Sequence, residues 1–362
     1  MIEHSYIHIP FCTRKCKYCS FISGKNIEYK ERYLHFLLKE IKSRYKNEPL
    51  KTLYFGGGTP SLSESSDIKK IIDCFSFQDN AEITLEANPE TVTKDKFRQL
   101  KKAGVNRISL GLQTFNGEIL NLIGRNHNET DIFNAIEIIK NAGFENISID
   151  LIYALPQQNM RLLETDIKKA LSLDIQHISA YGLKIEQDSF FGKNPPDCLP
   201  DDEMQAEMFL YICGMLKKNG FNHYEISNFS KQNYQSRHNI AYWENKNYYG
   251  FGLSACGYEG NLRYKNTPDF DTYIINPFAR EEEILLTNQQ IMEDEIFLAL
   301  RLEKGIDIKN INEKFNINFE EKYKHILEKY TSLNLLSIAN GKIKLTQAGI
   351  LLSNEIMAEF ID

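Results

Sequence analysis

The sequence has no apolar run long enough to cross a bilayer. Its longest nearly unbroken one, 208–216, is nine residues, about half of the ~18 that a spanning helix needs. It also lacks any basic stretch: 43 Lys and Arg stand against 49 Asp and Glu, for a net charge of −6. That balance leaves no footprint for a phosphate backbone and argues against nucleic acid as the main partner. Low-complexity tracts are missing, and 42% hydrophobic with 25% charged residues is the composition of a globular protein with ample core material. A strand-like segment, 6–10, stands close to the first residue, so the expectation is a chain without a cleaved signal that works in the cytoplasm. An even number is what the cysteines lack. There are seven, three of them within eight residues (Cys12, Cys16, Cys19), while Cys74, Cys198, Cys213 and Cys256 are scattered. Metal binding accounts for that clustering better than disulfides do.

Short apolar runs alternate with amphipathic stretches through the first half. The pattern predicts strands near 5–9, 51–55, 82–86, 105–111, 146–152 and 176–182, with helices near 28–46, 66–76, 93–103, 129–142 and 160–172 between them. Six β/α repeats imply a parallel sheet with right-handed crossovers, hence an α/β fold built as an incomplete (β/α)6 barrel. Beyond it, Asp202 is placed to start a helix running to about Lys218, and 222–229 reads as a seventh strand. Residues 230–262 read as irregular, and 290–362 as helices followed by a hairpin around Asn340-Gly341. Two domains are expected, 1–230 and 231–362. The second is mainly helical and winged-helix-like, and its acidity favours a cap or lid over a DNA reader.

Three features carry chemistry. Cys12, Cys16 and Cys19 follow the first strand at spacings of three and then two. Three thiolates can ligate three irons of a [4Fe–4S] cluster and leave the fourth open, where the amino and carboxylate groups of S-adenosylmethionine (SAM) can chelate. The alternative is zinc, with His4 or His8 as a fourth ligand. Gly56-Gly57-Gly58-Thr59-Pro60 follows the second strand; glycines there let a ligand approach the backbone closely, or serve only a tight turn. Polar residues then recur at later strand ends: Glu86, Gln113 and Asp150, with Arg125 one helical segment after Gln113. Carboxylates can accept from ribose hydroxyls or the SAM amine, and arginine can pair with its carboxylate. Each alone could equally be a structural ion pair or cap.

Together, Tyr-Ile-His-Ile-Pro-Phe-Cys (6–12) with the three-cysteine spacing, Gly-Gly-Gly-Thr-Pro, Glu-Ala-Asn-Pro (86–89), Asn-Arg-Ile-Ser-Leu-Gly-Leu-Gln (106–113) and Asp-Leu-Ile-Tyr-Ala-Leu-Pro (150–156) resemble the radical SAM family of oxygen-independent coproporphyrinogen III oxidases, over nearly the whole chain. The resemblance implies that Cys12, Cys16 and Cys19 hold the cluster and that Tyr6, Tyr18, Gly57, Gly58, Thr59, Glu86, Gln113, Arg125 and Asp150 contact SAM. Tyr18 would lie near the adenine and Tyr6 near the methionine carboxylate.

The family has two branches. True dehydrogenases carry a fourth cysteine two residues after the third and an N-terminal extension; here Phe21 stands at that place and the first strand comes early. Both departures resemble the heme chaperone (HemW-type) branch, as does His238-Asn239-Ile240-Ala241-Tyr242, similar to that branch's His-Asn-x-x-Tyr heme motif. Neutral imidazole is a natural axial ligand for heme iron, although a histidine in ordinary packing reads the same way. The resemblance thus implies a protein that binds heme, the cluster and SAM, lacks coproporphyrinogen dehydrogenase activity, and delivers heme to respiratory membrane proteins, with peripheral membrane association open. The alternatives are the dehydrogenase itself, in which a propionate loses CO2 to give a vinyl group, or a radical SAM enzyme acting on RNA or protein.

Overall fold

In the computed structural model, which describes residues 1–24 and 27–361, six parallel strands follow one another in both sequence and space. They are β1 (His4–Ile9), β2 (Leu50–Gly57), β3 (Phe77–Ala87), β4 (Arg107–Gln113), β5 (Asn146–Tyr153) and β6 (His177–Gly182). Helices α1 (Lys30–Arg44), α2 (Ser65–Ile72), α3 (Lys94–Ala103), α4 (Gly117–Ile123), α5 (Glu129–Asn141) and α6 (Met160–Ser172) connect them. β4 is buried along its whole length, as parallel strands covered on both faces must be. The open barrel expected from the repeats is present.

What flanks the six strands departs from expectation. After α7 (Phe190–Lys193) comes α8 (Asp202–Lys218), capped by Asp201 rather than Asp202; its side chain accepts from the Met204 backbone N–H. The single strand expected over 222–229 is two, β7 (Asn222–Glu225) and β8 (Asn228–Ser230). They turn at 226–227 and pair antiparallel on the β6 edge. The stretch read as irregular contains α9 (Arg237–Trp243), β9 (Tyr249–Phe251) and β10 (Cys256–Glu259). β9 pairs parallel with β1, so both barrel edges are covered.

The rest comprises β11 (Leu262–Asn266), α10 (Phe270–Tyr273), β12 (Arg280–Leu285), α11 (Asn288–Ala299), β13 (Ile306–Asp307), α12 (Ile308–Phe315), α13 (Phe319–Lys322), α14 (Lys324–Ser332), β14 (Leu336–Ala339), β15 (Lys342–Leu345), α15 (Gln347–Leu351) and α16 (Ser353–Ala358). β14 and β15 form the hairpin foreseen at Asn340-Gly341, joined by β13. The division expected near residue 230 falls inside the barrel's core, whose buried members run on to Ile274, because β9 returns to β1. A separate core gathers Met292 to Phe360. Among the described residues no helix is long and apolar enough to cross a membrane.

Candidate cofactor site at the barrel mouth

The segment bearing the three cysteines leaves β1 and is held by its backbone. Cys12 N–H donates to Gly24 O at 3.0 Å, Lys17 N–H to Ile123 O at 3.0 Å, and Phe191 N–H to Lys17 O at 2.9 Å. The second of these anchors is the C-terminus of α4, a helix the sequence pattern did not reveal. At the end of β2, Gly58 N–H donates to Ile9 O at 2.9 Å and Thr59 N–H to Phe11 O at 2.7 Å, binding the glycine turn directly to the cysteine segment. Gly57 has φ of +110° and covers the His8 ring, so a side chain fits there neither by conformation nor by space.

The thiols are half-buried. Burial pushes those of Cys16 and Cys19 up, and the Cys12 and Cys16 thiols both act electrostatically on Cys19. Among the described residues no three His, Cys, Asp or Glu side chains converge on a single-ion site. The zinc alternative is also short of ligands. His4 is hydrogen-bonded to Thr52 Oγ1 at 2.9 Å, and His8 to Tyr6 OH at 3.2 Å and Ile22 O at 2.9 Å. Three thiolates without a protein fourth are the donor set of an iron–sulfur cluster with an open iron.

From the thiols a polar chain runs across the rim. Cys12 Sγ lies 3.5 Å from Thr59 Oγ1, which accepts from Asn88 Nδ2 at 3.2 Å. Asn88 Oδ1 accepts from Arg125 at 2.8 Å, and Arg125 donates to Tyr18 OH at 2.9 Å. Asn88 was not singled out as a site residue from sequence, where it stands only within the Glu-Ala-Asn-Pro stretch. Arg125 Nε and Gln113 Oε1 are buried without partners among the described residues, and Gln113 is held at φ of +65°. Unsatisfied buried polar atoms converging at one rim are what a polar ligand would complete.

Deeper, Glu86 accepts from Tyr54 OH at 2.8 Å and from Gly57 N–H at 3.2 Å. Burial, reinforced by the nearby Asp150, pushes it up to about 7 despite those two donors. Burial also raises Asp150, which accepts from Ser109 Oγ at 3.2 Å. The native state therefore holds the Glu86 proton more tightly than the unfolded chain does. The resulting stability is present below the ordinary carboxylate range and is lost as pH rises through about 7. Glu86→Gln is expected to remove this dependence, so that thermal melts of the ligand-free chain between about pH 5 and pH 8 show the wild type losing on the order of 2 kcal/mol more than the variant.

One cavity of about 1310 Å3 joins these residues. Cys12, Cys16, Cys19, Tyr18, Gly57, Gly58, Thr59, Glu86, Gln113, Arg125 and Asp150 all line it, and Leu351 to Glu355 of the C-terminal module close its far side. Phe21 sits at its mouth, 64% exposed. Two of the expected residues stand apart. Tyr6 lies under Gly56, its hydroxyl turned to His8. His238 is 1% exposed, on α9 at the barrel floor. Its Nδ1 is bonded to Thr52 Oγ1 at 2.7 Å and its Nε2 to Tyr242 OH at 2.8 Å, while the ring stacks on Tyr54 at 5.0 Å. Burial keeps it neutral, as a ligand must be, but neither nitrogen is free for an iron. The open imidazole expected from the motif is not present in this arrangement.

Comparison with known proteins agrees with this geometry. The radical SAM superfamily matches residues 6–170 and the HemN C-terminal domain matches 286–352. The chain is 38% identical to the heme chaperone HemW of Lactococcus lactis, covering 99% of this chain and 97% of that protein. It is 35% identical to heme chaperone HemW of Bacillus subtilis, covering 99% of each. Among solved structures, the radical SAM coproporphyrinogen III oxidase HemN of Escherichia coli superposes with a TM-score of 0.87 at 23% identity, over 99% of this chain and 89% of that one. That likeness establishes the fold.

Proposed function

We propose a function from one premise: this chain belongs to the HemW family of radical SAM heme chaperones. It binds heme and passes it to heme-accepting respiratory membrane proteins, from the cytoplasm and at the inner face of the membrane. Cys12, Cys16 and Cys19 would hold the [4Fe–4S] cluster. Gly57, Gly58, Thr59, Glu86, Gln113, Arg125, Asp150 and Tyr18 would hold SAM, with Tyr6 supporting the turn from below. When bound, the cluster and SAM supply one-electron and radical chemistry. The chain's own part is to present thiolates on a fixed loop, to orient the ligand through the Thr59–Asn88–Arg125–Tyr18 chain, and to offer Glu86 and Asp150 as acceptors.

The observation that carries the reading is the single cavity uniting these groups with the C-terminal module. Its volume of about 1310 Å3 exceeds the ~300–1,000 Å3 of ordinary ligand pockets, leaving room for a second large ligand beside SAM. Phe21, where the dehydrogenase branch has a cysteine, supports carrier over catalyst. Anaerobic incubation of the reconstituted protein with coproporphyrinogen III, SAM and a reductant decides between them. No protoporphyrinogen is expected, and its clear formation would overturn the chaperone reading.

Heme ligation through His238 requires one ring nitrogen to give up its bond to Thr52 or to Tyr242. His238→Ala is expected to lose the heme spectrum of the wild type in an optical titration, or to weaken binding at least about tenfold. An unchanged spectrum and affinity places the iron on another ligand.

A further inference from the structure

The cavity holds a buried positive charge with no partner among the described residues. Arg107 opens β4, is 2% exposed, and lines the cavity. Among the described residues its guanidinium makes no hydrogen bond or ion pair, and its Nε has no acceptor. The two carboxylates it acts on electrostatically in the cavity are committed elsewhere: Asp150 to the Ser109 and Ser179 hydroxyls, and Glu86 to Tyr54 and the Gly57 backbone. They act on Arg107 through space only. A guanidinium removed from water is costly unless paired, and its rigid fork of donors matches a carboxylate in two parallel bonds.

We propose that Arg107 is a carboxylate-binding residue for a ligand entering this cavity. The inference rests on reading the cavity as the SAM and heme site, and two carboxylates have the required chemistry: the methionyl carboxylate of SAM and a heme propionate. With Asp150 and Glu86 close by, Arg107 supplies a counter-charge where an incoming carboxylate would otherwise meet only acidic groups.

The test compares wild type, Arg107→Gln and Arg107→Lys, all full-length with the cluster reconstituted, in equilibrium binding of four probes. These are SAM, decarboxylated SAM, heme, and heme whose propionates are esterified. Arg107→Gln is expected to weaken one carboxylate-bearing probe by at least about tenfold while leaving its carboxylate-free counterpart unchanged. Arg107→Lys, which keeps the charge without the fork, gives a smaller loss with the same selectivity. Any cost of losing iron chelation by decarboxylated SAM is common to wild type and variant and cancels in the comparison. Which pair responds assigns the source of the carboxylate. If Arg107→Gln does not fold, the selectivity of Arg107→Lys decides. Equal losses for both members of every pair, or no loss in any, would overturn the proposal. Failure of heme to bind the wild type would instead overturn the heme reading and leave the SAM comparison standing.

Discussion

Serine in place of Cys12, Cys16 or Cys19, one at a time, is expected to remove essentially all iron and sulfide bound after anaerobic reconstitution, together with the visible absorption of the cluster. Serine at Cys74, Cys198, Cys213 or Cys256 is expected to leave both intact. The contrast follows from placement. The first three lie on one loop fixed at Gly24, Ile123 and Phe191, and their thiols are close enough to influence one another. A serine hydroxyl keeps the shape but not the soft, readily ionised donor that iron–sulfur clusters take. Cys213 is buried in α8, whereas Cys198 and Cys256 are exposed and far along the chain. With only three protein ligands, no spare thiolate can replace a lost one. Full iron retention in Cys19→Ser would move the third ligand elsewhere.

The six parallel strands were legible because buried parallel strands are continuous apolar runs, and the rim was legible because its polar residues end those runs. The remaining features were set by contacts that the local pattern does not carry. α4 spans only Gly117–Ile123 between glycines, too short to show a helical period, yet its last carbonyl anchors the cysteine loop. The turn at 226–227 contains neither Gly nor Pro, so 222–229 reads as one strand. β9 lies among Asn, Tyr and Gly residues and becomes a strand by pairing with β1, far away in sequence. His238 is the plainest case. The same five-residue motif is consistent with an open imidazole or a closed one, and what closes it is Thr52, 186 positions earlier. Arg107 is hidden in the same way: a charged residue opening a strand looks solvent-exposed until the barrel encloses it.

Gly58→Ala is expected to damage the site while leaving every ligating side chain in place. A Cβ at Gly58 would lie 2.6 Å from Phe11 O, 2.9 Å from Ile9 O and 2.9 Å from Phe11 N. All three are backbone atoms, so no rotamer change relieves the contact. The only relief is to separate the end of β2 from the segment leading into Cys12, breaking the 2.9 Å bond from Gly58 N–H to Ile9 O. That shift also moves Thr59, which links Cys12 to Asn88 and hence to Arg125. The expected result is a stability loss of roughly 1–3 kcal/mol, as for overpacked cores, with SAM binding weakened beyond about tenfold and the cluster retained poorly. Gly214→Ala is the control: its added methyl meets nothing within 4 Å, and alanine favours the α8 interior by roughly 1 kcal/mol over glycine. Denaturant midpoints, iron content and SAM affinity measured on both variants separate a local clash at the cofactor turn from a general cost of losing glycine. If Gly58→Ala matched Gly214→Ala in all three, the close joining of the two loops would not be what builds the site.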